Sequence, residues 1–164
     1  DANGNKIALD ALRGKPVLIS MFYASCKAAC PMLIAYTKRI MEAVDEPLRS
    51  DLRVLMISFD AARDNPAALT RLAAEQGLNA QWLLASAEED QARELAAILG
   101  IKYRVIENNE FYHTSVITAL DREGRPLARL EGLSGEIDAF VATVQRTAMA
   151  AEAAATVKPA AAQP

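Results

Sequence analysis

Short, mostly apolar runs alternate along the chain with stretches in which apolar residues recur at helical spacing. Residues 16–23 (PVLISMFY) and 53–59 (RVLMISF) have the length of a strand. Their near-continuous apolar character indicates strands that are buried on both faces, as in a parallel sheet. Residues 81–84 are a candidate third strand, and the β-branched segment 114–120 (TSVITAL) predicts a fourth.

Helical patterns follow the first two strands. The first helix is expected from Pro31, because the missing N–H of proline costs nothing in a first turn. The second is expected from Pro66 to about Gln76, with Asn65 as its N-cap. The apolar stripe predicted for the first helix consists of Met32, Leu33, Ala35, Tyr36, Ile40, Met41 and Val44.

A third helix, a hairpin and a last helix complete the pattern. Residues 88–99 predict the third helix, which a glycine ends. The turn 121–124 (DREG) joins the fourth strand to residues 126–130, so these two strands are antiparallel. Ser134 is the expected cap of the last helix, whose apolar face consists of Ile137, Phe140, Val141 and Val144.

This order of elements predicts an α/β fold of the thioredoxin-like type. Three βα units followed by a β-hairpin and a helix predict a central mixed sheet with helices on both faces. An insertion over about residues 60–100 enlarges the middle of that arrangement. Residues 1–150 are expected to form one domain. Residues 151–164 are rich in Ala and Pro, have few large apolar side chains, and are expected to be a disordered tail.

Composition narrows the function classes. The chain has 164 residues, 52% of them apolar, and a net charge of −3 from 18 basic and 21 acidic residues. Nucleic-acid binding is not expected, because no concentration of Lys and Arg is visible. No apolar run approaches the roughly 18 residues of a membrane span. The chain begins at Asp1, so a signal peptide or membrane anchor upstream would lie outside this sequence.

The candidate chemistry rests on two cysteines and one histidine. Cys26 and Cys30 follow the first strand, where a thioredoxin-like fold has its active edge. At positions i and i+4 of one helical turn their Cβ atoms would be about 5–6 Å apart. That separation suits a disulfide or a shared metal ion, and a helix N-terminus favours the thiolate form.

His113, expected in a long loop before the fourth strand, could reach both sulfurs. Two thiolates and an imidazole suit copper in either oxidation state. A structural zinc site needs four protein ligands, and the chain has no fourth cysteine or histidine. A catalytic zinc site needs three protein ligands and an open position, which the number of these residues allows. The plain alternative is that the cysteines are small core residues and the histidine a hydrogen-bonded loop residue. Met32 and Met41 are expected to pack in the core rather than bind copper.

Four motifs resemble those of the Sco/SenC copper chaperones. Residues 22–31 (FYASCKAACP) resemble the family's CxxxCP segment, and residues 12–18 (LRGKPVL) resemble its lead-in. Residues 58–66 (SFDAARDNP) are similar to its "DPxRDTP" loop. His113 with the turn 121–125 (DREGR) resembles its distal histidine and "DPDGR" turn.

The resemblance runs from about residue 11 to 145 and implies a thioredoxin fold with one copper ion. The ligands it implies are Cys26, Cys30 and His113, holding Cu(I), Cu(II) or both. It implies a copper chaperone that delivers copper to the binuclear centre of cytochrome c oxidase subunit II, or maintains the cysteines of that centre. Another copper protein is an alternative acceptor. The expected location is the periplasm, on the outer face of the inner membrane, with an N-terminal tether.

Three positions depart from the family pattern. Lys27 and Ala28 stand where the family commonly has Pro and Asp, and Tyr112 stands where it has Asp before the histidine. Lys27 should favour thiolate but oppose a bound cation. Outer-shell residues often alter metal affinity by about 10–100-fold, so the affinity and the partner surface are expected to differ from the family's.

A thiol–disulfide oxidoreductase is the alternative function. In that scheme Cys26, expected to be more exposed, attacks a substrate disulfide and Cys30 resolves the mixed disulfide. The familiar redox motif has two intervening residues rather than three, and the scheme gives His113 no role. A peroxiredoxin is disfavoured because the Pro-x-x-x-Thr-x-x-Cys pattern is absent. A metallochaperone is therefore favoured over an enzyme.

Overall fold

The computed structural model describes residues 1–26, 29–107 and 110–156, and it describes side chains up to residue 148. The strands are β1 (Val17–Phe22), β2 (Arg53–Ser58), β3 (Trp82–Ser86), β4 (Tyr103–Val105), β5 (Phe111–His113), β6 (Val116–Leu120) and β7 (Pro126–Glu131). The helices are α1 (Ala29–Ala43), α2 (Leu48–Asp51), α3 (Pro66–Glu75), α4 (Glu89–Leu99) and α5 (Ile137–Thr156). A short 3₁₀ helix spans Leu9–Leu12.

Five strands form the central sheet in the order β3-β2-β1-β6-β7. β1 pairs in parallel with β2, and β2 with β3, whereas β6 is antiparallel to both β1 and β7. All six residues of β1 are buried, so both faces of the central strand are covered. The predicted mixed α/β sheet with its C-terminal hairpin is confirmed, and β1 ends with Phe22 level with Ser58 of β2.

The buried face of α1 differs from the predicted stripe. Met32 is 60% exposed and Ala35 is also exposed, whereas Ile34 and Thr37 are buried. Counted from Cys30, the inward positions recur at intervals of three and four residues, which is the spacing of a single helix face. Thr37 is accommodated there because its hydroxyl donates to the Leu33 carbonyl at 2.8 Å. The expectation that Met32 packs in the core is therefore wrong.

Helix ends follow the predicted signals at two places and depart from them at a third. Asn65 caps α3 by accepting the Ala68 N–H at 3.0 Å, and Gly100 ends α4 with φ 63°. Ser134 is not the cap of α5, which begins at Ile137. It lies instead in the bend that follows β7.

Helix α5 continues to Thr156, beyond the predicted end of the domain, and the remainder of the predicted tail lies outside the described residues. Across the part of the chain that the structure describes, no helix combines the length and apolar character needed to cross a membrane.

A second, two-stranded sheet replaces the loop that was expected before His113. Tyr103 of β4 is paired with His113 of β5, and Val105 with Phe111, in antiparallel register. His113 is thus the last residue of a strand rather than a loop residue. Strands of three residues are too short to show a period of two in a sequence, which is why the pattern does not predict them.

Candidate metal centre

The two cysteines come together although they do not share a helical turn. Cys26 lies in the turn after β1, where its N–H donates to the Tyr23 carbonyl at 3.3 Å. Cys30 is the second residue of α1 and is 1% exposed, and its N–H lies 3.4 Å from the Cys26 sulfur. The expectation that both cysteines occupy one turn is wrong for Cys26, which precedes the helix. Lys27 and Ala28, singled out in the sequence, lie outside the described residues.

His113 completes the cluster. Its Nε2 atom lies 4.0 Å from the Cys30 sulfur, and its Nδ1 atom lies 3.3 Å from the Thr114 carbonyl oxygen. A carbonyl can only accept, so this contact places the ring proton on Nδ1 and leaves the Nε2 lone pair facing Cys30. The ligand atoms of Cys26, Cys30 and His113 all lie within 4.8 Å of one another. The structure therefore places all three predicted side chains around one point.

Burial controls the protonation of this cluster. It raises the pKa of the Cys30 thiol above its usual range; a backbone hydrogen bond from Tyr23 opposes the rise, and the neighbouring Cys26 sulfur adds to it. The expectation that the helix N-terminus favours thiolate is wrong for Cys30, because burial of the thiol outweighs the hydrogen bond that would stabilise its thiolate. Burial likewise lowers the pKa of His113, against the Thr114 hydrogen bond. At neutral pH the metal-free site therefore presents a Cys30 thiol and a neutral imidazole.

Aromatic rings surround His113. Its imidazole meets Tyr23 edge-on, with ring centroids 5.8 Å apart, and Phe59 at 5.3 Å. Phe59 in turn stacks on Tyr103 at 4.7 Å and contacts Phe111 at 4.9 Å. The rings come from three distant parts of the chain, so no local motif predicts the cluster. These rings surround the imidazole with apolar atoms and account for its desolvation.

A buried carboxylate supports the turn that carries Cys26. Asp64, which is 1% exposed, accepts the Ala24 N–H at 2.7 Å and the Ser58 hydroxyl. The neighbouring Asp60 pairs with Arg63. The structure adds a contact from Asp64 to the turn after β1, which no local spacing could have shown.

Comparison with known proteins decides the family. The sequence model of the SCO1/SenC family matches residues 1–149. The chain belongs to the SCO1/SenC family. No curated protein gives a significant match. The four motifs that resemble Sco/SenC segments thus lie in a member of that family, and the predicted family is confirmed.

Solved SCO1/SenC structures share the fold of this chain. Copper-bound ScoI of Bradyrhizobium japonicum is 21% identical with a TM-score of 0.72, over 89% of this chain and 93% of ScoI. Copper-bound yeast Sco1 is 20% identical with a TM-score of 0.73, over 96% and 91% of the two chains. BsSco, described with a disulfide switch, is 20% identical with a TM-score of 0.74, over 91% and 89%. The thioredoxin-like fold is thereby confirmed.

Two large side chains near the ligands in sequence, Tyr112 and Met32, are exposed. Tyr112 is 57% exposed, because alternation along β5 directs it away from its neighbour His113. The Arg104 guanidinium lies 5.7 Å from the Tyr112 ring centroid. Met32, two residues after Cys30, is also exposed. Position 112, where the Sco/SenC resemblance leads us to expect an aspartate, therefore presents an aromatic ring to solvent.

Proposed function

We propose that this protein is a copper metallochaperone that binds one copper ion through Cys26, Cys30 and His113. The convergence of these three ligand atoms within 4.8 Å carries the proposal. Thiolate and imidazole are soft and intermediate ligands that suit copper, whereas a structural zinc site takes four protein ligands. The chain has two cysteines and one histidine in all, so it offers no fourth ligand of these types. Copper-bound ScoI and yeast Sco1, which share the fold, support the choice of metal.

The unequal burial of the two sulfurs suits transfer of the ion. Cys30 is buried, whereas Cys26 is partly exposed. A three-ligand site leaves the copper open to an incoming thiolate, which would approach from the Cys26 side. Exchange then proceeds by adding the acceptor's ligand before the buried Cys30 is released. Copper is in this scheme a cargo that leaves with its charge unchanged.

We infer that the acceptor is the binuclear copper centre of cytochrome c oxidase subunit II. The family relationship supports this, since BsSco is described as a member of the Sco family of cytochrome c oxidase assembly proteins. We further propose a periplasmic location on the outer face of the inner membrane with an N-terminal tether. Transfer of copper from the loaded protein to a purified subunit II domain tests the acceptor directly.

A thiol–disulfide reductase is the second candidate, favoured by the contact between the cysteines. The Cys30 N–H lies 3.4 Å from the Cys26 sulfur, where it would stabilise a Cys26 thiolate. That thiolate would attack a substrate disulfide and release one substrate thiolate. Cys30, once deprotonated, would attack the Cys26 sulfur and release the second. The substrate gains two electrons and the protein ends as a Cys26–Cys30 disulfide.

Anaerobic titration of the reduced protein with Cu(I), against a competing chelator, tests the chaperone proposal. We expect one tightly held copper per chain, and a sulfur-to-copper charge-transfer band with Cu(II). His113→Ala removes a ligand and should weaken copper binding by about 100-fold or more. Substitutions of residues that only support a ligand already cost about 10–100-fold. Tyr112→Ala is the matched control, because that neighbouring side chain lies on the opposite face of β5. A protein that retains no copper but cycles its disulfide would instead support the reductase.

A further inference from the structure

The hairpin that carries His113 is not part of the central sheet. Among the strands that the structure describes, β4 and β5 pair only with each other, whereas both cysteines follow β1 of the five-stranded sheet. β6 begins three residues after His113 and ties that end of the hairpin to the sheet, so the distance between His113 and Cys30 also depends on what fastens the rest of the hairpin to the turn after β1. Backbone hydrogen bonds such as that from Thr114 N–H to the Lys102 carbonyl, 2.9 Å, only close the hairpin on itself.

Phe59 packs its ring on both strands of the hairpin, and Tyr23 adds a hydrogen bond to the hairpin. Tyr23 is 4% exposed, and its hydroxyl donates to the Glu110 carboxylate at 2.9 Å, with the Phe111 carbonyl 3.4 Å away. Glu110 directly precedes β5, and its carbonyl accepts the Ile106 N–H at 2.7 Å, so it belongs to the hairpin. A hydrogen bond to a charged acceptor is among the stronger contacts that a hydroxyl can make. This bond therefore helps to hold the hairpin against the body of the protein.

The same tyrosine contacts both arms of the metal centre. Its carbonyl accepts the Cys26 N–H, and its ring lies edge-on to His113. The Arg63 guanidinium lies 6.0 Å from the Tyr23 ring centroid and 5.7 Å from the Phe111 ring centroid. The loop after β2 therefore also packs against these two rings. A phenylalanine at position 23 would fill the same space but would leave the Glu110 carboxylate without this donor.

We propose that Tyr23 and Glu110 are positioning residues for the metal ligand His113. Their hydrogen bond fixes the β4–β5 hairpin so that His113 Nε2 stays beside the Cys30 sulfur. This inference rests on the proposed copper site and adds to it the residues that assemble the site. Neither residue is a ligand in this proposal. Glu110 acts through the imidazole, and Tyr23 acts through it and also through a hydrogen bond with the Cys26 side chain.

A double-mutant cycle tests the inference with Cu(I) competition titrations. Tyr23→Phe should lower the Cu(I) affinity about tenfold, the effect of losing one charge-assisted hydrogen bond. In the His113→Ala background the same substitution should have a much smaller effect, because only the interaction of Tyr23 with the Cys26 side chain remains. Glu110→Gln keeps an acceptor for the hydroxyl and should retain most of the affinity, whereas Glu110→Ala should match Tyr23→Phe.

Tyr36→Phe is the matched control. It removes another tyrosine hydroxyl, one that donates to the Gly135 carbonyl and lies six residues beyond Cys30 on α1, about 9 Å along the helix. This variant should bind copper as the wild type does. Nitrogen superhyperfine structure in the Cu(II) electron paramagnetic resonance spectrum gives a second measurement, which should weaken in Tyr23→Phe and Glu110→Ala but not in Tyr36→Phe.

Each outcome separates this inference from the proposed function. If Tyr23→Phe binds copper unchanged, or weakens it equally with and without His113, Tyr23 does not position the ligand. The Glu110→Gln and Glu110→Ala pair gives the same decision should Tyr23→Phe fail to fold. If the wild type holds no copper, or if His113→Ala binds as tightly as the wild type, the proposed copper site itself is wrong.

Discussion

Copper binding to the reduced protein should release the Cys30 proton over the whole neutral range. Burial of that thiol, which is 1% exposed, raises its pKa above the usual range. A group that is protonated when free and deprotonated when bound makes affinity rise about tenfold per pH unit for each proton released. The logarithm of the Cu(I) affinity should therefore rise by at least about one unit per pH unit between about pH 6.5 and 8.5.

His113 should add nothing to that slope. Burial lowers its pKa, so the imidazole is already neutral in the metal-free protein over the range considered. Protonation of His113 would weaken copper binding only as the pH falls through that lowered pKa. The sign of the two contributions is the same, since both ligands must be deprotonated to bind. The pH ranges in which the two ligands affect copper affinity differ, because the pKa of Cys30 is raised and that of His113 is lowered.

Competition with a Cu(I) chelator at half-unit pH steps measures the slope, after correction for protonation of the chelator. Proton release in weakly buffered solution with an indicator dye counts the protons independently. Cys30→Ser should remove about one unit of slope per pH unit. A pH-independent affinity between about pH 6.5 and 8.5, with one copper bound, would show that Cys30 is already a thiolate and refute the reasoning.

Three further predictions concern stability and can be checked by urea denaturation. Leu33→Ala should cost about 2–5 kcal/mol because Leu33 is fully buried, whereas Met32→Ala should cost less than about 0.5 kcal/mol at its exposed position; equal costs would contradict the observed face of α1. Burial raises the pKa of Asp121, but hydrogen bonds from Arg125 and the Glu123 N–H outweigh it and lower the pKa overall. Asp121→Ala should therefore cost about 1–3 kcal/mol at pH 7, and less as the pH falls through the folded-state value; a constant cost would contradict this. Burial raises the pKa of Asp64, against the hydrogen bonds from Ser58 and Ala24, with Asp60 adding to the rise and Arg63 opposing it. The folded wild type should thus lose stability as the pH rises from the unfolded-state pKa of Asp64 through its higher folded-state pKa, and Asp64→Asn should gain stability relative to it over the same range; no relative change would show that Asp64 ionises normally.

The elements that sequence predicted best are those with local causes. β1 and β2 are short, near-continuous apolar runs. A run of this kind is typical of a central strand that is covered on both faces. Asn65 caps α3 because its side chain reaches an N–H three residues away, a contact that depends on nothing else in the fold. The α4 helix ends at Gly100 for a similar reason, since the left-handed conformation there favours glycine.

Contacts across long sequence separations could not be predicted in the same way. The Tyr23–Glu110 hydrogen bond joins residues 87 positions apart, and the Ala24–Asp64 bond joins residues 40 apart. Neither residue pair belongs to one motif, so only the folded chain brings them together. The prediction that Cys30 is a thiolate was wrong for a related reason. Position in the first turn of a helix is visible in the sequence, whereas the depth at which α1 packs is not.

The two proposed uses of the cysteines exclude one another at any moment, because a disulfide consumes the thiolates that copper needs. A Cys26–Cys30 disulfide would leave His113 as the only remaining ligand of the proposed site. The raised pKa of Cys30 slows its attack as a resolving thiol, since the thiol form is a poor nucleophile. Copper binding also requires the loss of the Cys30 proton, but only once, and the metal ion then replaces the proton as a much stronger partner of the sulfur. The buried Cys30 beside a fixed imidazole is therefore better suited to holding a metal ion than to rapid disulfide exchange.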